Sequence, residues 1–190
     1  MEYDSRGDEY FFTSQGKTVL TFFGFMVGYE NEDQMKKIVQ EVLSKYSPAT
    51  TLVNDGATKR SLGEMYPLAK SMGFTTAGIV SRNILDDPTD ISPYCDYICF
   101  IDDDLWGGKL PDSNELSPTS KAMVDCSDIL IAIGGGEICR DELLAGKKQG
   151  KPIQYFPAEI NHEAAIRRAK YLGAPLPESF MGAVHEVFGK

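Results

Sequence analysis

The sequence predicts an α/β domain in which a mainly parallel sheet of six or seven strands carries helices on both faces. Short apolar runs rich in β-branched and aromatic residues alternate along the chain with segments of helical periodicity. Alternating strands and helices form parallel sheets, because each parallel connection needs a crossover helix. The predicted class is therefore a doubly wound, Rossmann-like fold, in which ligands bind beyond the carboxyl ends of the strands.

The composition suits one domain and limits its partners. The 190 residues are 42% hydrophobic, and the net charge is −9. An acidic surface repels phosphate backbones, so no nucleic-acid partner is expected, although backbone amides can still hold a small anion. The four cysteines match no metal-ligand spacing, and neither a metal nor a resident cofactor is predicted. With no signal peptide and no long apolar span, the chain is expected to be cytoplasmic, with no membrane partner.

The elements follow one another from the first residue. Residues 1–16 are predicted to be an N-terminal arm, docked on the body or on a partner subunit or else frayed, and residues 17–190 form the domain. Strands are predicted at 18–24, 50–54, 74–80, 96–102, 128–133 and 152–156. Helices are predicted at 31–45, 60–72, from 117 onward, at 138–148 and at 162–171, with a loop over 82–95. Asn31, Ser117 and Asn161 are the expected N-caps, and Pro67 is expected to kink or split its helix.

Glycine-containing turns follow three of the predicted strands and are the candidate binding loops. Their proposed binding residues are Gly24 and Phe25 in the first turn, Asp55, Gly56 and Thr58 in the second, and Gly134, Gly135 and Gly136 in the third. The third turn is the most informative, because three glycines between a strand and a helix form a nest of amides on a helix dipole. An anion or ribose-phosphate site is favoured over glycines that merely permit a tight turn.

Three residues of the following helix are candidates for the same site. Glu142 is the candidate catalytic carboxylate, which can bind ribose hydroxyls or stabilise an oxocarbenium-like centre, or else act only as a helix-dipole partner. Cys139 opens the helix, where a thiol pKa falls, although a small half-buried residue is the favoured interpretation. Arg140 is the basic residue nearest the glycine turn and a candidate phosphate partner.

Other residues leave two interpretations open. Asp55 and Thr58 can bind a ribose or fix their loop as an Asx-turn. The acidic run at 102–104 is predicted to be a solvated loop in preference to a cation site. Trp106 and Tyr94 can stack on a base or pack within the protein.

The segment around the third turn resembles a known family. Residues 126–136, Cys-Ser-Asp-Ile-Leu-Ile-Ala-Ile-Gly-Gly-Gly, followed by Glu142-Leu143, are similar to the "SDAFIALPGGxGTxxEL" segment of the Lonely Guy-like superfamily. That group includes cytokinin-activating phosphoribohydrolases, the DNA-processing protein A fold and molybdenum-cofactor carrier-like proteins. Lys151-Pro152 resembles the pair that opens the group's next strand. The resemblance implies a Rossmann-like fold, a nucleotide-like ligand and a homodimer.

Departures from the family's pattern bear on activity. Gly134 stands at the motif's proline, and the family's catalytic arginine corresponds to Thr119, with the next basic position at Ser120. The leading prediction is therefore binding of a nucleotide or nucleotide-derived small molecule. The alternatives are a phosphoribohydrolase, another N-glycoside hydrolase or a nucleoside deoxyribosyltransferase-like enzyme that uses Glu142. A third is an interaction protein with a degenerate site.

Overall fold

A six-stranded parallel sheet forms the centre of the protein. The computed structural model describes residues 11–190, with only the backbone of Ser61. The strands are β1 Thr18–Phe23, β2 Thr51–Asp55, β3 Thr75–Ser81, β4 Tyr97–Ile101, β5 Ile129–Ile133 and β6 Ile153–Phe156. They lie in the order β4-β3-β2-β1-β5-β6, and every neighbouring pair is parallel. The predicted fold class is confirmed, and each predicted strand is found within one residue of its predicted ends.

The helices connect these strands. They are α1 Glu32–Leu43, α2 Met65–Ser71, α3 Pro118–Asp125, α4 Glu137–Lys148, α5 His162–Leu172 and α6 Ala183–Phe188. The carboxamide oxygens of Asn31 and Asn161 accept amide hydrogen bonds from Gln34 and Ala164, as N-caps do. Helix α6 was not predicted from the sequence.

Two predicted segments differ in detail. The helix predicted at 60–72 is a 3₁₀ turn, Ser61–Glu64, followed by α2. Pro67 is tolerated because it lies in the first turn of α2, where a missing amide removes no helical hydrogen bond. The loop predicted at 82–95 contains two 3₁₀ helices, Arg82–Asp86 and Pro88–Asp90.

Apolar side chains of the sheet point alternately to two cores. Ile131 and Ile133 of β5 pack on one face with residues of α1 and α2, whereas Leu130 and Ala132 pack on the other with residues of α3, α4 and α6. This two-residue alternation is the geometry of a strand covered on both sides. On this second face α3 and α4 lie side by side, with α3 over β3 and β4 and α4 over β5 and β6.

The join between α3 and β5 is fixed by Lys151. Its ammonium group donates to the backbone oxygens of Val124, Asp125 and Ser127, at 2.6, 3.0 and 2.7 Å. A lysine here satisfies carbonyls that the end of α3 leaves without helical partners. The lysine that carries part of the family resemblance therefore has a structural role.

The N-terminal arm is described only from residue 11. Residues 11–14 are helical, and the Phe12 side chain is buried in the core beneath α3 and α4. The Phe11 ring lies 4.5 Å from the Tyr97 ring. Residues 1–10 of the predicted arm lie outside the described residues. None of the helices in the described part of the chain combines the length and apolar character that a membrane crossing needs.

Candidate functional site

The strand order places the expected ligand crevice between β1 and β5, and aromatic side chains fill it. The chain leaves β1 on one side of the sheet and β5 on the other, so their carboxyl ends form the switch point. The Tyr29 hydroxyl donates to the backbone oxygen of Ile133 at 2.8 Å and accepts the Phe25 amide at 3.3 Å. Phe25 and Tyr29 are both buried. A Cβ on Gly24 would lie 1.9 Å from the Tyr29 hydroxyl, so the first glycine turn is packed closed.

The C-terminal segment closes part of the third glycine turn. The Val184 amide donates to the Gly135 oxygen at 3.2 Å, and the Val184 side chain is fully buried. A Cβ on Gly134 would lie 2.3 Å from the Phe25 ring, and a Cβ on Gly135 would lie 2.7 Å from the Cys139 sulfur. Gly134 and Gly135 are thus needed for packing, whatever else they do.

The third glycine of this turn has different surroundings. Gly136 is the N-cap of α4, no side chain caps the helix, and no atom lies within 4 Å of the position a Cβ would take. The amides of Gly136, Glu137 and Ile138 donate to no acceptor within residues 11–190. An uncapped helix start with open space before it can receive an anion.

Glu142 lies on the same helix and is held by α3. The Ser120 hydroxyl donates to Glu142 Oε1 at 2.6 Å, and itself accepts the Gly108 amide at 2.7 Å. Glu142 is 7% exposed, and its Oε2 accepts no hydrogen bond from the described residues and keeps contact with solvent. Burial raises the pKa of Glu142 to about 8, with a further contribution from the charge of Asp55. Glu142 is therefore mostly protonated at neutral pH.

The side chain that bonds this carboxyl group is a neutral hydroxyl. Ser120, where the sequence resemblance places a basic residue, lies directly against the carboxyl group. A neutral hydroxyl stabilises a buried carboxylate much less than a guanidinium does. Sequence reasoning singled out Ser120 only through the resemblance and did not pair it with Glu142.

Asp55, at the end of β2, is the second carboxyl group of the site. Desolvation raises its pKa to about 7, and the Gly56 amide partly offsets that rise. Its charge contributes to raising the pKa of both Glu142 and the Cys139 thiol, so the three groups lie within electrostatic reach of one another. A Cβ on Gly56 would meet no atom within 4 Å, so this turn is also open.

The turn after Gly56 is held in an unusual backbone conformation. Ala57 has φ of +60°, and its amide donates to the Tyr66 hydroxyl at 3.0 Å. That hydroxyl donates to the Ala77 oxygen at 2.9 Å, so a buried tyrosine fixes the turn to β3. Thr58 is half-buried and forms a backbone bridge to Ile91.

Two predicted site residues have other partners. Burial raises the pKa of the Cys139 thiol well above its ordinary value, with contributions from the charges of Glu142 and Asp55. A protonated, buried thiol does not provide a reactive thiolate, which agrees with the favoured interpretation. The Arg140 guanidinium is paired with the carboxylate of the adjacent Asp141 at 3.0 Å.

The acidic loop after β4 borders Glu142. Although burial alone would raise it, the amides of Thr119 and Leu105 hold the pKa of Asp103 below its usual value. Asp103 thereby caps α3 from a distant loop, while the Ser117 side chain, the expected cap, makes no such hydrogen bond. Asp103 is buried, so the prediction of a fully solvated acidic run was wrong at this residue.

Two surface grooves lie away from these residues. One, of about 390 Å³, lies between the start of α1 and the segment after β6 and is lined by Tyr29, Glu30, Asn31, Gln34, Met35, Pro157, Ala158 and Glu159. The other, of about 430 Å³, lies between α1 and α2. Neither includes Asp55, Gly136 or Glu142 in its lining. At the carboxyl edge, Gly56 and Gly136 are two turn positions where a Cβ would meet no other described residue within 4 Å.

Comparison with known proteins identifies solved structures that have a similar fold. No family model matches the sequence, and no curated protein matches it. The molybdenum cofactor carrier protein of Chlamydomonas reinhardtii is similar in structure, with a TM-score of 0.53 and 18% identity over 73% of this chain and 76% of that one. The molybdenum cofactor binding protein of Rippkaea orientalis gives the same values.

A DNA-processing protein is a third structural neighbour. DNA processing protein A of Streptococcus pneumoniae has a TM-score of 0.54 and 12% identity, over 93% of this chain and 62% of that one. At such identities the similarity is one of fold. It agrees with the resemblance noted from the sequence, which is confirmed at the level of the fold.

Proposed function

We propose that this protein binds a nucleotide or nucleotide-derived small molecule at the carboxyl edge of its sheet. The anionic group would lie on the amides of Gly136, Glu137 and Ile138, and the sugar would lie against Glu142 and Asp55. One observation carries the proposal: the open, uncapped start of α4 lies on the same helix as Glu142, an inward-facing carboxyl group with one free oxygen. An amide nest receives an anion without a cation, so the net charge of −9 is no obstacle.

The protonation of the carboxyl groups favours binding over turnover. A protonated Glu142 can donate a hydrogen bond to a sugar hydroxyl, but it is a poor nucleophile and does not stabilise a cationic centre. Two fold neighbours are named as carrier or binding proteins of the molybdenum cofactor. Carriage of a ligand without chemical change is therefore a precedent within this fold.

The proposal is tested with a thermal-shift and calorimetric panel. The panel contains nucleoside mono- and diphosphates, cyclic nucleotides, nucleotide sugars, ADP-ribose and the molybdenum cofactor. A ligand at a hundred times its Kd stabilises the folded state by about 2.7 kcal/mol, which gives a clear rise in Tm. Gly136→Ser is expected to weaken binding at least tenfold, because a side chain would occupy the open position in front of the amides.

The matched control exchanges one cap for another at a different helix. Asn31→Ser alters the N-cap of α1 and is expected to leave the ligand affinity unchanged. Unaltered affinity in Gly136→Ser would contradict the placement of the anion. A panel with no binding ligand would contradict the proposed function itself.

A second function, cleavage of an N-glycosidic bond, is supported by the pair of carboxyl groups. The pKa values of about 7 for Asp55 and about 8 for Glu142 allow one ionised and one protonated carboxyl group at slightly alkaline pH. Glu142 would give its proton to the departing base while water attacks the sugar carbon and Asp55 accepts the proton of that water. Release of free base with an optimum between about pH 7 and 8, lost in Glu142→Gln, would establish this function. Binding without base release would exclude it for the ligands tested.

A further inference from the structure

The loop between β4 and α3 presents an exposed aromatic ring. Trp106 is the only tryptophan of the chain, and its side chain is 49% exposed. Large aromatic side chains contribute most to stability when buried, so a half-exposed tryptophan in an ordered loop favours a role in recognition.

The loop holds this residue from both sides. On one side, the Asp103 carboxylate accepts a hydrogen bond from the Leu105 amide at 2.9 Å. The backbone oxygen of Asp103 accepts one from the Ser81 hydroxyl at 2.7 Å. On the other side, Gly108 donates to the Ser120 hydroxyl, and its oxygen accepts the Ser117 amide at 2.7 Å. Trp106 therefore belongs to a short segment whose backbone is fixed at both ends, and a fixed backbone loses little conformational entropy on binding.

The same segment touches the carboxyl wall of the site. Gly107 has φ of +116°, and a Cβ there would lie 3.0 Å from Ser120 Oγ and 3.9 Å from Glu142 Oε1. Trp106 directly precedes Gly107, so its backbone lies one Cα spacing from this position. The loop that carries the exposed ring therefore lies beside the carboxyl group to which the sugar is assigned.

The distribution of charge orients the ligand along this edge. Asp102 and Asp104 precede Trp106 in this loop, whereas the amides of Gly136, Glu137 and Ile138 have no acceptor among residues 11–190. A phosphate is repelled by the acidic loop and attracted by the amides, while an uncharged base tolerates the acidic loop. The base end of the ligand therefore belongs at Trp106 and the phosphate end at Gly136.

We infer that Trp106 is the stacking platform for the base of a mononucleotide whose sugar lies at Glu142 and whose phosphate lies at Gly136. This inference rests on the proposed function and adds the aromatic base as the group that determines specificity.

The test compares ligands that differ only in the base. The probes are the four common ribonucleoside 5′-monophosphates and ribose 5-phosphate. Because Trp106 is the sole tryptophan, its fluorescence reports directly on stacking, and we expect quenching by at least one nucleotide and none by ribose 5-phosphate. Calorimetry on Trp106→Ala should show the affinity for that nucleotide reduced by about 5- to 150-fold. The affinity for ribose 5-phosphate should stay unchanged.

Two further variants separate stacking from damage to the fold. Trp106→Phe keeps a ring and should retain part of the affinity, and Tyr171→Ala removes an aromatic side chain that is 89% exposed on α5 and should change nothing. Nucleotide binding by Trp106→Ala at the wild-type affinity would overturn this inference alone. Equal weakening of nucleotide and ribose 5-phosphate would also overturn it, because the residue would then act on the loop and not on the base. Failure of the wild-type protein to bind any of these probes, while it binds another ligand of the panel, would overturn this inference alone. Failure to bind every ligand of the panel would overturn the proposed function as well.

Discussion

Two parts of one glycine turn have opposite surroundings. Gly134 and Gly135 are enclosed by Phe25, Cys139 and Val184, so that no side chain fits at either position. Gly136, the next residue, faces open space and begins α4 without a side-chain cap. The three residues look equivalent in the sequence, yet two are required by packing and the third is the one available to a ligand.

This difference separates stability from binding within a single segment. A ligand-binding test at Gly134 or Gly135 would measure damage to the fold, because Phe25 and the C-terminal segment rest on these residues. Gly136 can be substituted without collision, so changes in affinity there report on the ligand.

Gly135→Ala should be strongly destabilising. The residue has φ of +125°, which an alanine adopts only with strain, and the new Cβ would lie 2.7 Å from Cys139 Sγ and 2.8 Å from Val184 Cγ2. Backbone strain and overpacking each cost about 1–3 kcal/mol, so we expect a loss of about 3 kcal/mol or more in urea unfolding. Gly136→Ala, with ordinary φ and open space, should lose less than about 1 kcal/mol. Equal losses for the two variants would show that the turn is not divided as described.

The buried carboxyl group on the helix after this turn makes stability depend on pH. Folded Glu142 keeps its proton up to about pH 8, whereas the unfolded chain releases it near the ordinary pKa of 4.5. Between these values the folded state binds more protons, so stability falls as pH rises, by about 1.4 kcal/mol per pH unit at most for this group. The raised pKa of Asp55 likewise makes stability fall as pH rises, up to about pH 7. On the acid side, the lowered pKa of Asp103 means that stability is lost as pH falls below the ordinary carboxyl pKa. These groups together place the greatest stability at about pH 4, where the ordinary pKa values of 3.8 and 4.5 lie.

Glu142→Gln isolates the contribution of one carboxyl group. The variant keeps an acceptor for the Ser120 hydroxyl but cannot ionise, so its free energy of unfolding should fall less steeply between pH 5 and 8 than that of the wild type. Glu41→Gln, at an exposed position near the C-terminal end of α1, serves as the control and should leave the slope unchanged. Parallel curves for the wild type and Glu142→Gln would mean that Glu142 is not desolvated in solution.

The scaffold of the site was predictable because its signals are local. Each buried strand is an apolar run, and the predicted β5 ends directly at Gly134 as observed. The side-chain caps at Asn31 and Asn161 were predicted because each bonds to an amide three residues later. The topology of a parallel sheet then brings Asp55, Gly136 and Glu142 to one edge, since the carboxyl ends of all its strands lie there.

The parts that were not predicted depend on distant partners. Asp103 lies sixteen positions before Thr119, the residue of α3 whose amide it accepts. The sequence pattern indicated Ser117 instead, which directly precedes the helix. The hydrogen bond from Val184 to Gly135 joins residues nearly fifty positions apart in the sequence. Helix α6 is too short to show helical periodicity. The contact of Gly107 with Ser120 had one sequence signal, the Gly107-Gly108 pair after Trp106, which is typical of a close backbone approach.

Gly136→Ser should have the smallest effect on stability, and the sign of that effect is the most informative. The backbone at Gly136, with φ of −87° and ψ of −160°, has the extended conformation of an N-cap, and serine is a better N-cap than glycine. A serine hydroxyl that accepts an amide of α4 should raise the free energy of unfolding by roughly a few tenths of a kcal/mol. The same hydroxyl would occupy the amides assigned to the ligand's anion, so the variant should be more stable and bind less tightly. A glycine at the N-cap lacks this stabilisation. Its presence is expected where the amides of the helix bind a ligand instead. Loss of both stability and affinity would instead assign Gly136 to packing, together with Gly134 and Gly135.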